Sequence, residues 1–189
     1  MAVAVLGMAG SLFFSSCGSN STDDKGTVDS VKQPADATSS QKHGEQNVMD
    51  AYLDLKEALV KGDAEKAKKD AGDVKQKLAE VKMDKMAPQQ VKAWNDSAKK
   101  LTVQLDKIEA ATKIDEQRDA FSKLSDAMYG SVQKFGLASE TVYHTYCPMA
   151  FDGKGAFWLS DNAEIRNPYY GEKSDMLGCG EVKDTIKYK

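Results

Sequence analysis

The chain has 189 residues, 41% hydrophobic and 29% charged, a balance ordinary for a soluble globular protein and long enough for one domain with appendages. Its net charge of −3, with lysines interleaved among acidic residues and no basic patch, argues against nucleic acid as a partner.

Residues 1–17 open the chain with an apolar run too short to span a bilayer, which needs about 20 apolar residues. The run reads as the core of a signal peptide. Phe14-Ser15-Ser16-Cys17 has the form of a bacterial lipobox, in which the cysteine is lipidated and becomes the mature N-terminus. No Lys or Arg precedes Cys17, the one feature of such a leader that is missing. The expectation is a bacterial envelope lipoprotein, held to the membrane by lipid and facing the periplasm. Residues 18–45 are mostly Ser, Thr, Asp, Gly, Gln and Lys. They bury too little surface to offset their ordering entropy and read as a flexible tether. His43 falls in this tether as a solvated residue.

Residues 46–136 carry four amphipathic stripes with helical spacing. The first is Val48, Ala51, Tyr52, Leu55, Ala58 and Leu59, ended by Gly62, with Asp63 placed to cap the second. The second is Ala64, Ala67, Ala71, Val74, Leu78 and Val81. Pro88 stands where a first-turn proline belongs, ahead of Val91, Trp94, Ala98, Leu101, Leu105 and Ile108. Asp115 is the expected cap of the fourth helix, whose stripe is Phe121, Leu124, Met128, Val132 and Phe135, ended by Gly136. Short connections make these an up-and-down four-helix bundle, so the fold class is mainly α. No histidine lies between Glu45 and Gly136, which excludes a ferritin-like di-iron site. The bundle is expected to fold without the rest of the chain.

Residues 137–189 change character, holding eight of the fifteen aromatic residues. Thr141 to Tyr146 and Ala156 to Leu159 read as short strands, Asp152-Gly153-Lys154-Gly155 as a turn, Asn167-Pro168 as another turn, and Val182 to Ile186 as a strand or short helix. The bundle is thus followed by a small, loop-rich module with short β strands.

The chemistry of the chain is concentrated in this module. Cys147 and Met149 stand two apart and Met176 and Cys179 three apart, spacings that set each pair on one side of a strand or turn. Together they form a soft donor set suited to Cu(I), with His144 as a further donor. Zinc fits less well, because a thioether is a poor zinc ligand. The other reading is structural. An exported chain with two cysteines left after lipidation commonly pairs them, which here would stabilise the fold by about 3–4 kcal/mol in the chain-entropy account. His144 and Cys147 lack an orienting third group, so no enzyme is expected. A third reading makes Trp158, Tyr169 and Tyr170, with Phe157, a docking patch for a partner protein.

Tyr146-Cys147-Pro148-Met149-Ala150-Phe151, Gly155-Ala156-Phe157-Trp158-Leu159-Ser160, Ile165-Arg166-Asn167-Pro168-Tyr169-Tyr170-Gly171 and Met176-Leu177-Gly178-Cys179-Gly180 resemble the domain of unknown function 3347 of Bacteroidetes envelope proteins. The helices also look like that family. The resemblance implies an association with the periplasmic adaptors of heavy-metal efflux pumps, and it favours the metal reading: an envelope lipoprotein that binds Cu(I) for metal handling or efflux. Cys147-Pro148-Met149 also looks like the short heavy-metal-binding segment of such systems, though Ala150 replaces that segment's histidine. The alternative is a disulfide-stapled interaction module without metal.

Overall fold

In the computed structural model residues 36–187 are described, with side chains from Asn47 onward. Cys17 and most of the expected tether lie outside them. Four helices follow one another: α1 (Asp36–Lys61), α2 (Ala64–Glu80), α3 (Pro88–Ala110) and α4 (Ile114–Phe135). Helix α1 begins ten residues before the bundle expected at 46. Extending a helix from an already packed turn costs far less than nucleating one, so weak formers are carried into α1.

The helix ends follow local chemistry. Gly62 takes a left-handed φ of 73°, and Asp63 Oδ1 accepts the Lys66 N–H at 2.9 Å. Gln90 Oε1 reaches back to the Ala87 N–H at 3.0 Å, ahead of Pro88. The cap of α4 departs from expectation, because Lys113 rather than Asp115 holds the capping position. The orphan amides there are satisfied from behind: Glu116 Oε2 accepts the N–H groups of Thr112 at 3.2 Å and Lys113 at 3.4 Å. Asp115 sits in the first turn, where a carboxylate favours the positive end of the helix dipole. At the far end Gly136 adopts φ 70° and ψ 42° and returns its N–H to Val132 O at 2.9 Å.

Each helix packs on its sequence neighbour, and α4 also receives the sheet. The stripes read from the sequence face inward, with Tyr52, Leu55, Leu59, Leu101, Leu105, Ile108, Phe121, Leu124 and Met128 buried. Tyr52 of α1 stacks on Phe121 of α4 at 5.2 Å between ring centroids.

The module forms a three-stranded antiparallel sheet of β1 (Val142–Cys147), β2 (Ala156–Ser160) and β3 (Glu181–Ile186), in the order β2-β1-β3. Cys147 pairs with Ala156 on one side of β1, while Tyr146 pairs with Glu181 on the other. The β1–β3 register slips between His144 and Thr145. The turn at Ala150–Gly153 places two non-glycine residues in left-handed backbone, Phe151 at φ 54° and Asp152 at φ 58°, a conformation costing about 1–2 kcal/mol per residue. The turn expected at 152–155 therefore begins two residues earlier, at Ala150, and under strain.

Bundle and module share one apolar core. Leu137, Val142, Cys147, Ala150, Trp158, Leu159 and Tyr169 join the helix stripes in a contiguous buried cluster. Polar contacts stitch the same boundary. Tyr52 Oη accepts the Leu159 N–H at 3.1 Å. It lies 2.7 Å from Ser125 Oγ, whose own proton goes to Phe121 O at 2.9 Å, so Tyr52 is the donor to Ser125. Tyr52→Phe keeps the stack but leaves the Leu159 amide buried without its partner. Denaturant unfolding should show a loss of about 1–3 kcal/mol; an unchanged midpoint would mean that water replaces the hydroxyl.

Candidate functional site

The sulfur words converge as the strand order requires. Cys147 ends β1, and Cys179 stands two residues before β3, which pairs with β1. The two form a disulfide across 32 residues of sequence, with Cα atoms 5.7 Å apart, inside the range such bonds span. Cys147 is fully buried and Cys179 half-buried.

Asn167 holds the Cys179 loop from inside. Its side chain is completely buried. Nδ2 donates to Cys179 O at 2.7 Å, and Oδ1 accepts the Tyr169 N–H at 2.8 Å. Its backbone N–H donates to Leu177 O at 2.9 Å and its carbonyl accepts from Gly171 at 3.1 Å. The loop closes on itself through the Cys179 N–H to Met176 O at 2.9 Å. At Gly180, φ is 149° and an added Cβ would lie 2.7 Å from the Trp158 ring, so glycine is required there.

The bonded state does not fit a Cu(I) centre, since a disulfide sulfur is not the thiolate that binds such a metal. The thioethers are placed differently from one another: Met149 is 54% exposed and Met176 half-buried. His144 is taken up elsewhere. Its ring stacks on Tyr129 at 3.7 Å and on Phe157 at 4.5 Å. Among the described residues no group of three or more His, Cys, Asp or Glu is placed to hold a metal ion.

Burial lowers the His144 pKa below its ordinary value, with the Asp184 carboxylate pulling weakly the other way. The folded state therefore binds this proton less readily than the unfolded chain, and stability should fall as pH drops through about 6.5. His144→Phe keeps a flat ring in the stack and should flatten that part of the stability–pH curve. An identical slope in the variant would assign the effect to another group.

The aromatic patch expected at Trp158, Tyr169 and Tyr170 is corrected. Trp158 is 1% and Tyr169 7% exposed, and the pair meets edge-to-face at 5.9 Å. Tyr169 Oη donates to Phe157 O, and burial raises its pKa well above the tyrosine norm. These two rings build the core. Tyr170 stays half-exposed, as does Phe157, and donates to Met149 O at 2.5 Å.

A cleft of about 420 Å³ opens beside it, walled by Phe151, Tyr169 and Tyr170 and rimmed by Asp115, Asp119, Asp152 and Arg118. Arg118 is held in place there, with Nε donating to Pro168 O at 2.9 Å, Nη2 to Leu59 O at 3.3 Å and Nη1 to Asp115 at 3.3 Å. Sequence reading missed Arg118 and Asn167. Asn167 was visible only as a turn residue, and Arg118 as one more charge on a helix.

These features define a class: a four-helix bundle whose core is completed by a disulfide-closed antiparallel sheet, with no helix among the described residues long and apolar enough to cross a membrane. The profile of the family described as a protein of unknown function (DUF3347) matches residues 48–140, so the chain resembles that family over its helices and the start of the module. No curated protein and no solved structure matches the chain.

Proposed function

We propose that this chain is a disulfide-stapled interaction module of the bacterial envelope, anchored through Cys17, that docks a partner protein at the turn following Cys147. The supporting observation is Met149, a large apolar side chain 54% exposed on a turn whose backbone is fixed by Tyr170 and by the left-handed Phe151 and Asp152. A turn whose backbone is already fixed spares the entropy of ordering the loop on binding, and an apolar side chain on it can fill a partner's pocket. Half-buried Phe151 and Tyr170 extend the surface into the cleft.

A photo-crosslinking side chain placed at 149 in cells should give a discrete adduct that Tyr170→Ala removes. Cys17→Ala should release the protein from membranes. No adduct at 149, or the same adduct from the exposed Val103 on α3, would end the docking assignment.

A second reading is supported by the methionine beside each cysteine. On reduction, Cys147, Met149, Met176 and Cys179 become a thiolate and thioether set suited to Cu(I), in keeping with a role in metal handling or efflux. Reduced protein should then compete with a chromophoric chelator for Cu(I), and Cys147→Ser or Cys179→Ser should each remove most of the affinity. Failure of folded, reduced protein to compete removes this reading and leaves the docking module untouched.

A further inference from the structure

We propose that the Cys147–Cys179 pair is a thiol–disulfide exchange site. In its reduced form the module is a dithiol donor to a disulfide-bearing partner, with Cys179 attacking and Cys147 resolving.

The two sulfurs are unequally placed. Cys147 is enclosed, whereas Cys179 lies half-buried in a surface loop. Next to it Gly178 is exposed, with no heavy atom within 4 Å of where a Cβ would stand. Cys179, packed against the core yet partly exposed, is therefore the residue of the pair that an incoming chain meets first.

Both positions are held without the bond. Cys147 is fixed by the pairing of β1 with β2, and the Cys179 loop by the Asn167 hydrogen bonds and its own Met176–Cys179 turn. Reduction leaves the Cα atoms within bridging distance, so the pair keeps a high effective concentration. A preorganised dithiol favours its own oxidation, which makes it a donor of electrons. Met149, exposed two residues from Cys147, offers the incoming chain an apolar contact beside the site.

The steps balance. The Cys179 thiol releases its proton, and the thiolate attacks one sulfur of the partner disulfide. That bond breaks, and the displaced sulfur leaves as a thiolate and takes up a proton. The Cys147 thiol then loses its proton and attacks Cys179 Sγ. The mixed disulfide breaks, the second partner sulfur leaves and is protonated, and Cys147–Cys179 is oxidised. Two electrons pass to the partner, whose disulfide becomes two thiols. A dithiol reductant reloads the pair by the reverse route.

The test uses the full chain with Cys17→Ser, reduced, freed of reductant and mixed anaerobically with oxidised glutathione. The pair should close while both halves of glutathione appear as free thiol. Cys147→Ser should accumulate a glutathione adduct at Cys179. Cys179→Ser should react about tenfold or more slowly, because its remaining thiol is buried. Limited alkylation of the reduced protein carrying both cysteines should label Cys179 ahead of Cys147, a reading that does not depend on those variants folding. Circular dichroism of the reduced protein should match that of the oxidised form. Equal reactivity of the two sulfurs, reaction only in denaturant, or loss of the fold on reduction would each show the pair to be a plain staple and overturn the proposal.

Discussion

Cutting the chain after Leu137 should abolish cooperative unfolding, although the helical stripes by themselves suggest a bundle that folds alone. The removed segment supplies Val142, Trp158, Leu159 and Tyr169 to the same buried cluster as Tyr52, Phe121 and Leu124. Each such side chain contributes about 1.5–3 kcal/mol on burial, so the four together approach the roughly 5–15 kcal/mol that holds a whole domain. Truncation also uncovers Phe121, which packs against Tyr169 at 6.2 Å, and leaves Tyr52 without Leu159. The truncated chain should keep much of its helical circular dichroism while melting broadly. A sharp calorimetric transition close to that of the full chain would show that the bundle is autonomous after all.

Trp158→Ala should be among the most damaging single substitutions. Trp158 is 1% exposed on β2, the strand that packs on α4, with Tyr169 edge-on to its indole. Its neighbours on β2 are pinned from two sides, Leu159 by Tyr52 and Phe157 by Tyr169. The site is poorly able to collapse into the space an alanine leaves, and the expected cost is about 3–5 kcal/mol. Urea unfolding should show a lower midpoint with an unchanged slope. A loss below about 1 kcal/mol would mean that the sheet is not a structural part of the core.

The bundle was legible because each stripe is a local repeat: Leu101, Leu105 and Ile108 return to one face whatever lies opposite. Helix stops at Gly62 and Gly136 were legible for the same reason, since a left-handed residue after a helix is a local demand. The cap of α4 was misread because a polar residue near a helix start can serve in more than one register: Lys113 rather than Asp115 holds the capping position, and Glu116 reaches back to the amides of Thr112 and Lys113.

The module was harder to read because its residues are sorted by partners distant in sequence. Its short strands are packed by the bundle and by its own loops, so the simple alternation that marks an exposed face is absent. Trp158 and Tyr169 look the same in sequence whether they fill a core or present a surface, and α4 together with the Asn167 loop decides for the core.

The paired Cys and Met words had the same ambiguity. A disulfide and a soft metal site both require these sulfurs to converge, and spacing along the chain cannot separate them. Sequence by itself determined that there would be four helices, a change of architecture near residue 137 and two sulfur words in the segment beyond it, because periodicity, capping and composition are local properties. Tertiary structure alone decided that Cys147 and Cys179 are bonded, that His144 lies in an aromatic stack, and that Met149 stands exposed. Those outcomes depend on the β1–β3 pairing and on burial by helices far away in the chain, and no local pattern carries either.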